Sequence, residues 1–410
     1  HNPAKSRRKD GRERTIAMMV TPKVRGFICT TAHPAGCREN VKEQIEYVKR
    51  QAQDRRPERR CWSVRGIHRL WPFFPDCAGL SSGAATLGVL FESRRPAPGP
   101  PPLAGDNTAA FEEFAQKDGL YAKSVNGDAF SKEVKNQVIG LIKQDLGQVD
   151  MVVYSLAAPR RTDGDGKVWS SVLKTTGAPY TNKTIDLKTR AVSDVTIEPA
   201  TKEEITATVK VMGGEDWKDW ISALQAADVL APNAVTVAYS YIGPALTHPM
   251  YLDGSIGMAK RHLAKTAKEI TQEFPGVTGY ISVNKALVTQ SSAAIPIVPL
   301  YISLLYKVMK EKGLHEGCIE QMTRLFREKL HKDAPQVDGE GMLRLDDWEM
   351  RDDVQQEVSR LWEAVATENV EQLADIDGYW EDFYRMFGFH LPGVDYNADV
   401  AVDVSIPSLA

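Results

Sequence analysis

Short apolar runs that alternate with amphipathic segments restrict the fold of this chain more than any other feature. Residues 86–92, 151–157 and 235–241 are stretches of strand length, apolar almost throughout, and unbroken apolar runs are typical of parallel strands that are buried on both faces. Helical patterns separate them, as at 131–147 and 254–274, and residues 280–289 are predicted to form a further strand. Strands joined by helices of this length form βαβ units. We therefore predict an α/β fold, with a Rossmann-like doubly wound parallel sheet and helices on both of its faces.

The length of 410 residues allows one large α/β domain or two to three ordinary domains. Residues 1–17 are basic and contain no apolar stretch of the kind found in signal peptides. We expect them to be a disordered leader or a cloning artefact, followed by a single large domain over 18–410. Within it, the polar residues 193–220 are interpreted as an insertion or a flap, and the segment 290–345 as helices that line a pocket.

Charge and cysteine content exclude several classes of protein. The chain has 51 Lys and Arg against 54 Asp and Glu, so nothing indicates nucleic acid or an anionic membrane as a partner. The longest apolar run, 293–306, is shorter than the roughly 18–20 residues of a membrane span and contains Pro296 and Pro299. The five cysteines are scattered and form neither a disulfide framework nor a paired metal site. This pattern predicts no bound metal and favours a reducing compartment, the cytoplasm.

A glycine-rich turn is missing where a dinucleotide-binding sheet needs one. Backbone N–H groups of such a turn hold the pyrophosphate, and the turn should lie about 20 residues before the acid that ends the second strand. The chain has Arg65-Gly-Ile-His-Arg-Leu-Trp71 there. Codons that can encode residues 66–72, read one base later, give Ala-Ser-Thr-Gly-Tyr-Gly-Leu. We hypothesise that roughly residues 50–80 are a frameshifted stretch and that the real polypeptide has the glycine turn here. The alternative is that this segment is genuine and divergent.

Tyr251 and Lys260 are candidates for proton transfer. A strand is predicted to end at Tyr241, a loop follows, and a helix begins near Gly254, so Lys260 lies about two turns within that helix. A nearby ammonium stabilises a phenolate and lowers the pKa of a tyrosine from its reference value of about 10, which suits the proton donor of a reductase. Taken alone the pair is weak evidence, because a core tyrosine and a surface lysine would give the same pattern.

Longer motifs spread over nearly the whole chain carry a family resemblance. They include Lys23-Val-Arg-Gly-Phe-Ile-Cys29, Asn126-Gly-Asp-Ala-Phe130, Gly213-Gly-Glu-Asp-Trp217 and His315-Glu-Gly-Cys-Ile-Glu-Gln321. Outside residues 50–80 the chain resembles the FabV-type enoyl reductases, which share their family with the trans-2-enoyl-CoA reductases. The resemblance implies a short-chain-dehydrogenase-like fold with added small elements that cover the substrate.

The resemblance also implies a role for individual residues. Tyr251 is expected to be the catalytic proton donor, Lys260 to bind the nicotinamide ribose and steer Tyr251, and Tyr241 to contact the substrate. The family's Gly-Ala-Ser-Thr-Gly-Tyr turn corresponds to residues 65–70, which supports the frameshift hypothesis. The other cofactor contacts are expected from Phe91 and Glu92 at the adenosine end, Asp128 and Ala129 at the adenine, Leu156 and Ala157 on the ribose and nicotinamide side, and Leu287, Val288 and Thr289 at the nicotinamide amide.

The implied activity is the NADH-dependent reduction of a trans-2-enoyl thioester of acyl carrier protein or CoA, in fatty acid biosynthesis, by a cytoplasmic monomer. Glu92 favours NADH over NADPH, since a carboxylate there accepts hydrogen bonds from the ribose hydroxyls, although Arg94 and Arg95 could pair with a phosphate. Two alternatives stay open. A carbonyl-directed short-chain dehydrogenase would prefer ketones in a substrate screen, and a non-catalytic scaffold that lost its glycine turn would not bind NADH.

Three further pairs of side chains attract attention but are interpreted as structural. No cluster of partner ligands accompanies the histidines and cysteines among them, and the tryptophans suit packing better than ligand stacking. The pairs are His33 with Cys37, His315 with Cys318, and Trp217 with Trp220.

Overall fold

A seven-stranded parallel sheet forms the centre of the protein. The computed structural model describes residues 14–20, 33–53, 85–90, 103–156, 158–289, 291–330, 335–399 and 405–409. The strands of the sheet are β1 (Arg14–Val20), β2 (Ala85–Leu90), β3 (Ala122–Asn126), β4 (Val149–Leu156), β9 (Leu230–Ser240), β10 (Val277–Val283) and β11 (Met342–Arg344). Their order is β11-β10-β9-β4-β1-β2-β3, and every pairing is parallel. The order turns back at β1, as in a doubly wound fold, so the predicted fold class is confirmed.

Alternate residues of the central strands face opposite sides of the sheet, which explains their apolar sequences. On β4, Val152 and Tyr154 pack into the core on one side, whereas Met151 and Val153 pack into a separate core on the other. Successive side chains of a strand point to opposite faces. A strand that is covered on both faces therefore needs an apolar residue at nearly every position.

Helices cover both faces of the sheet. They are α1 (Pro34–Gln53), α2 (Leu103–Lys117), α3 (Lys132–Leu141), α4 (Lys202–Met212), α5 (Glu215–Ala226), α6 (Ser255–Glu273), α7 (Val298–Glu311), α8 (Cys318–Arg324), α9 (Asp352–Ala364), α10 (Val370–Leu373) and α11 (Ile376–Arg385). The apolar sides of α3, α5 and α6 pack against one face of the sheet. The opposite face, beside β4 and β9, is covered by α8 and by the π-helical turn Leu325–Lys329.

A second apolar core is built on the sheet from elements that are not part of the doubly wound layers. Its helices are α7, α9, α10 and α11, and it also includes residues of the hairpin formed by β7 (Tyr180–Asp186) and β8 (Ala191–Ile197). A further hairpin joins β5 (Arg160–Thr162) to β6 (Val168–Ser170). Tyr241 and Tyr251 pack against the margin of this second core, so it stands next to the candidate catalytic residues.

The longest apolar run of the sequence forms α7, whose side chains are almost all buried. One proline of the run lies in the first turn of this helix, where a missing N–H costs nothing. Across the ranges that the structure describes, no helix is both long enough and apolar enough to cross a membrane.

The boundary predicted for the leader is wrong. β1 pairs with both β2 and β4, so residues 14–17 belong to the centre of the sheet and not to a disordered segment. The apolar character of this strand begins at Ile16, before residue 18, where the folded domain is predicted to begin.

The prediction of a flap over 193–220 is also wrong for most of that segment, which forms α4 and the first half of α5. Trp217 and Trp220 are completely buried, as are Ile221 and Leu224. These residues recur at intervals of three and four along α5, which is the spacing of one helix face. The polar residues between them form the other face of an amphipathic helix, and their number led to the prediction of a flap.

The buried ion pair between Asp216 and Lys135 ties α5 to α3 at 2.5 Å. Asp216→Ala leaves the buried ammonium without its carboxylate partner, so we expect a loss of about 3–5 kcal/mol in the free energy of unfolding. The double variant Asp216→Ala/Lys135→Met removes both charges and should recover part of that loss. Urea unfolding measures all three values. Asp219→Ala, an exposed carboxylate of the same helix, should cost about 1 kcal/mol or less; equal losses for Asp216→Ala and Asp219→Ala would contradict the assignment.

Candidate active site

A cavity of about 410 Å³ lies at the carboxyl ends of β4, β9 and β10. Its wall includes Leu156 at the end of β4, Ser240 at the end of β9 and Asn284 just after β10. Open α/β sheets bind ligands at this edge, in the crevice outside the carboxyl ends of the strands. The same cavity is lined by Tyr251 and Lys260, so the structure brings the two predicted catalytic residues to one site.

Tyr251 lies in the turn that precedes α6. The backbone N–H of Tyr251 donates to the carbonyl of Thr247 at 3.0 Å. Gly257, in the first turn of α6, can approach Tyr251 closely because it lacks a Cβ, which at this position would overlap the carbonyl oxygen of Tyr251. Its ring meets the ring of Tyr241 edge to face, with centroids 4.8 Å apart. Burial, followed by the negative charge of Glu349, raises the pKa of Tyr251, so the phenol holds its proton at neutral pH.

Lys260 reaches the cavity from α6, and its Nζ donates to the carbonyl of Tyr239 at 2.8 Å. An ammonium has three donors, so among the residues that the structure describes two donors remain for groups in the cavity. Burial lowers the pKa of Lys260 to about 8. The group is therefore mostly charged at neutral pH but close to losing its proton.

Glu349 is a functional residue that sequence reasoning missed. Its side chain is completely buried; Oε1 accepts hydrogen bonds from the hydroxyls of Tyr241 at 3.1 Å and Tyr301 at 2.7 Å, and Oε2 accepts one from the backbone N–H of Ala286 at 2.7 Å. The sequence around it, Asp346-Asp-Trp-Glu349, has the composition of an exposed acidic turn. Only the pairing of β11 with β10 shows that it faces inward.

The segment that follows β10 supplies another wall of the cavity. It was predicted to continue as a strand to Thr289, but β10 ends at Val283 and the chain then leaves the sheet. Leu287 and Thr289 line the cavity, and their contact with a nicotinamide stays a prediction. Val288 is buried in the second core instead, and its backbone N–H donates to the hydroxyl of Tyr306 at 3.2 Å.

The adenine-side residues lie farther along the same edge of the sheet. Asp128 and Ala129 follow β3, at the end of the strand order, and they do not line the cavity that holds Tyr251. The carbonyl of Ala129 accepts a hydrogen bond from the indole of Trp220 at 3.0 Å, which fixes this loop on α5. A dinucleotide extends across several strands, so separation of the two ends is what the prediction requires.

Some predicted cofactor residues fall outside the described part of the chain. Phe91, Glu92 and Ala157 are among them, as are the glycine-turn position at 65–70 and most of the segment hypothesised to be frameshifted. Their assignments stay predictions.

An apolar wall completes the cavity. Ile295, Val298 and Ile302, in and just before α7, contribute one side, and Leu173 and Met212 contribute another. Of the described residues in 290–345, those that line the cavity lie between Ser291 and Ile302, and their apolar side chains can contact a hydrocarbon chain next to Tyr251 and Lys260.

The pairs interpreted as structural are found in structural roles. His33 accepts a hydrogen bond on Nδ1 from the N–H of Gly36 at 3.2 Å, at the start of α1. His315 packs edge to face on Tyr306 at 4.4 Å, and burial lowers its pKa to about 3. Cys318 is the first residue of α8, and burial raises the pKa of its thiol well above the usual value.

Models of known protein families match three parts of the chain. The model described as trans-2-enoyl-CoA reductase catalytic region matches residues 105–331. The model described as NAD(P)H binding domain of trans-2-enoyl-CoA reductase matches 19–61, and the model described as enoyl reductase FAD binding domain matches 337–400. The first model alone spans more than half of the chain.

Curated relatives are similar over almost their full length. An enoyl-(acyl-carrier-protein) reductase (NADH) of Coxiella burnetii is 54% identical over 400 residues, which cover 96% of this chain and 98% of the relative. A trans-2-enoyl-CoA reductase (NADH) of Ruminiclostridium cellulolyticum is 50% identical over 404 residues, covering 96% of this chain and all of the relative.

Solved structures show the same similarity in three dimensions. The trans-2-enoyl-CoA reductase of Treponema denticola in complex with NAD has a TM-score of 0.85 and 44% identity, covering 92% of this chain and 97% of that chain. The trans-2-enoyl-CoA reductase of Clostridium acetobutylicum in complex with NADH has a TM-score of 0.87 and 41% identity, covering 94% and 98%.

Proposed function

The chain belongs to the trans-2-enoyl-CoA reductase family, and from that premise we propose that it uses NADH to reduce trans-2-enoyl thioesters to saturated acyl thioesters in fatty acid biosynthesis. One observation on this chain supports the proposal most directly. The phenol of Tyr251 and the ammonium of Lys260 line the same apolar-walled cavity, at the carboxyl edge of the sheet. The relatives are named for both acyl carrier protein and CoA. The thioester that the two carriers share is therefore the proposed reacting group, and a cytoplasmic monomer is the proposed form.

The residues around the cavity fit the nicotinamide end of NADH. Lys260 retains two donors after bonding Tyr239, which suits the two hydroxyls of a ribose. Leu156, Leu287 and Thr289 form the adjacent wall. NADH, when bound, supplies the hydride that adds to C3 of the enoyl group.

The family model that matches the C-terminal segment is described as FAD binding, but none of the described residues of that segment, 337–399, lines the cavity that holds Tyr251 and Lys260. The large side chains of the segment, including Trp362, Tyr379 and Phe383, are buried in the second core. Its contribution to the site is the carboxylate of Glu349, behind Tyr241.

The side chains of the cavity divide the work of protonation and binding. As charge develops on the thioester oxygen, the Tyr251 hydroxyl is placed to donate to it, and protonation at C2 completes the reduction. The positive charge of Lys260 lowers the cost of the phenolate that remains. The edge of Tyr241 restricts the position of the Tyr251 ring, and the apolar side chains of α7 bind the acyl chain.

Tyr251→Phe removes the proposed donor and keeps the ring that packs on Tyr241. We expect kcat with a crotonyl thioester to fall by about 10²–10⁴, as loss of a general acid usually causes, while the Kd for NADH changes little. Tyr280→Phe, on β10 and outside the cavity, is the matched control and should keep wild-type kcat. Wild-type turnover by Tyr251→Phe would overturn the assignment, and reduction of ketones in preference to enoyl thioesters would favour the carbonyl-directed alternative.

Lys260 predicts an alkaline limit to activity. The useful form is the ammonium, which exists below the pKa of about 8 and is lost as the pH rises through it; Tyr251, whose pKa is raised, stays protonated over the same range. We expect kcat/KM, which reports the pKa values of the free enzyme, to be level below this pH and to fall above it by up to about tenfold per pH unit. Whatever activity Lys260→Arg retains should show no such fall, because a guanidinium keeps its charge. An unchanged fall in Lys260→Arg would assign the limit to another group.

The choice between NADH and NADPH should depend on Glu92, at the predicted adenosine end. A carboxylate there repels a 2′-phosphate, so kcat/KM should be higher with NADH, and Glu92→Ala should narrow the difference without abolishing use of NADH. Steady-state kinetics with both cofactors tests this. Preference for NADPH in the wild type would show that Arg94 and Arg95 dominate the site.

A further inference from the structure

Glu349 enters the site from the C-terminal third of the chain on a rigid support. β11 pairs in parallel with β10, and the residues just after it remain attached, because the N–H groups of Leu345 and Asp346 both donate to the carbonyl of Val283, at 2.9 and 3.2 Å. After Glu349, the backbone N–H of Met350 donates to the carbonyl of Asp346 at 2.8 Å. The backbone on either side of Glu349 is therefore fixed relative to the end of β10.

The carboxylate of Glu349 connects two walls of the cavity. One carboxylate oxygen accepts a hydrogen bond from the hydroxyl of Tyr241, whose ring packs edge to face with that of Tyr251. The other oxygen accepts a hydrogen bond from the N–H of Ala286, which begins the segment that carries Leu287 and Thr289. A carboxylate can accept several hydrogen bonds at once and donates none, which suits these partners.

The peptide groups on both sides of Ala286 are held by buried charged side chains. Its N–H donates to Glu349, and its C=O accepts a hydrogen bond from Nζ of Lys285 at 2.9 Å. Glu349 is fully buried and Lys285 is 1% exposed. Burial raises the pKa of Glu349 and the neighbouring Lys285 opposes that rise, and the two side chains together restrain Ala286 at both of its polar groups.

Tyr301 and Gln355 hold the carboxylate in this orientation. The hydroxyl of Tyr301 donates to the same oxygen as Tyr241 does, and the amide of Gln355 donates both to that hydroxyl, at 3.2 Å, and to the backbone carbonyl of Glu349, at 2.8 Å. Three elements, α7, α9 and the turn after β11, therefore meet at one side chain.

We propose that Glu349 is a positioning residue of the reductase, whose carboxylate aligns the Tyr241–Tyr251 pair with the cofactor-facing segment 286–289. The proposal rests on the proposed function, since the two walls matter together only if the proton donor and the nicotinamide meet between them. Glu349 lines no part of the cavity, so it acts through Tyr241 and Ala286 and not on the substrate.

Two substitutions separate positioning from simple structural support. Glu349→Ala removes every hydrogen bond, and displacement of reacting groups by about 1 Å can cost about 10² in rate; we expect kcat to fall by roughly that factor and KM for NADH to rise severalfold. Glu349→Gln can keep its carbonyl on Ala286 and offer its amide to the two tyrosine hydroxyls, which can accept as well as donate. It should therefore recover most of the kcat and KM.

The matched control is Glu357→Gln, an exposed residue of α9 paired with Arg360, which should behave as wild type. Thermal unfolding of each variant gives the folded fraction. If Glu349→Ala lowers activity only in proportion to that fraction, with KM for NADH unchanged, or if Glu349→Gln is as impaired as Glu349→Ala, the positioning role is refuted.

Hydrogen exchange, followed by mass spectrometry on the peptide that contains Ala286, separates this test from the proposed function. Glu349→Ala should speed exchange of that amide whatever the substrate. If the wild type reduces no enoyl thioester yet this amide is deprotected in the variant, the proposed function fails and the restraint on Ala286 stands. If the wild type is active and exchange is unchanged, the positioning role fails alone.

Discussion

Burial of the central strands on both faces is the constraint on which the rest of the structure depends. Because β4 and β9 are covered on both sides, polar side chains within them need internal partners, as Thr236 shows: its hydroxyl accepts from the indole of Trp217 at 2.8 Å and donates to the carbonyl of Val152 at 3.0 Å. Reactive groups must instead lie where the strands end. Tyr241 and Asn284 stand at such ends, and the cavity forms there.

Each charged group of the site has a hydrogen bond to the backbone. Nζ of Lys260 donates to the carbonyl of Tyr239, Nζ of Lys285 donates to the carbonyl of Ala286, and the carboxylate of Glu349 accepts from the N–H of Ala286. Near the end of a parallel strand, backbone groups that the sheet does not use can solvate a buried charge. Exposed pairs such as Arg360 with Glu357 depend on no such arrangement and contribute little to stability.

Strands and helices that depend on the spacing of apolar residues and on local sequence pattern could be predicted from the sequence. The strands around 151–157 and 235–241 and the helix that carries Lys260 are close to those observed, because their apolar residues repeat at regular intervals. The extension of β10 to Thr289 was wrong since residues that line a cavity can be as apolar as a buried strand. Glu349 could not be predicted, because its contact with Ala286 depends on β11 adding to the sheet far along the chain.

The late position of β11 has a consequence for synthesis, which proceeds from the N-terminus. Tyr251 leaves the ribosome nearly a hundred residues before Glu349, an interval of about 5–20 s at roughly 5–20 residues per second. Until β11 arrives, β10 is the outer strand of that side of the sheet, with unpaired backbone groups that invite association with other chains. A nascent chain stalled in this interval would already contain Tyr251 and Lys260, but it would expose the unpaired edge of β10. Such a chain would bind chaperones before its active site is complete.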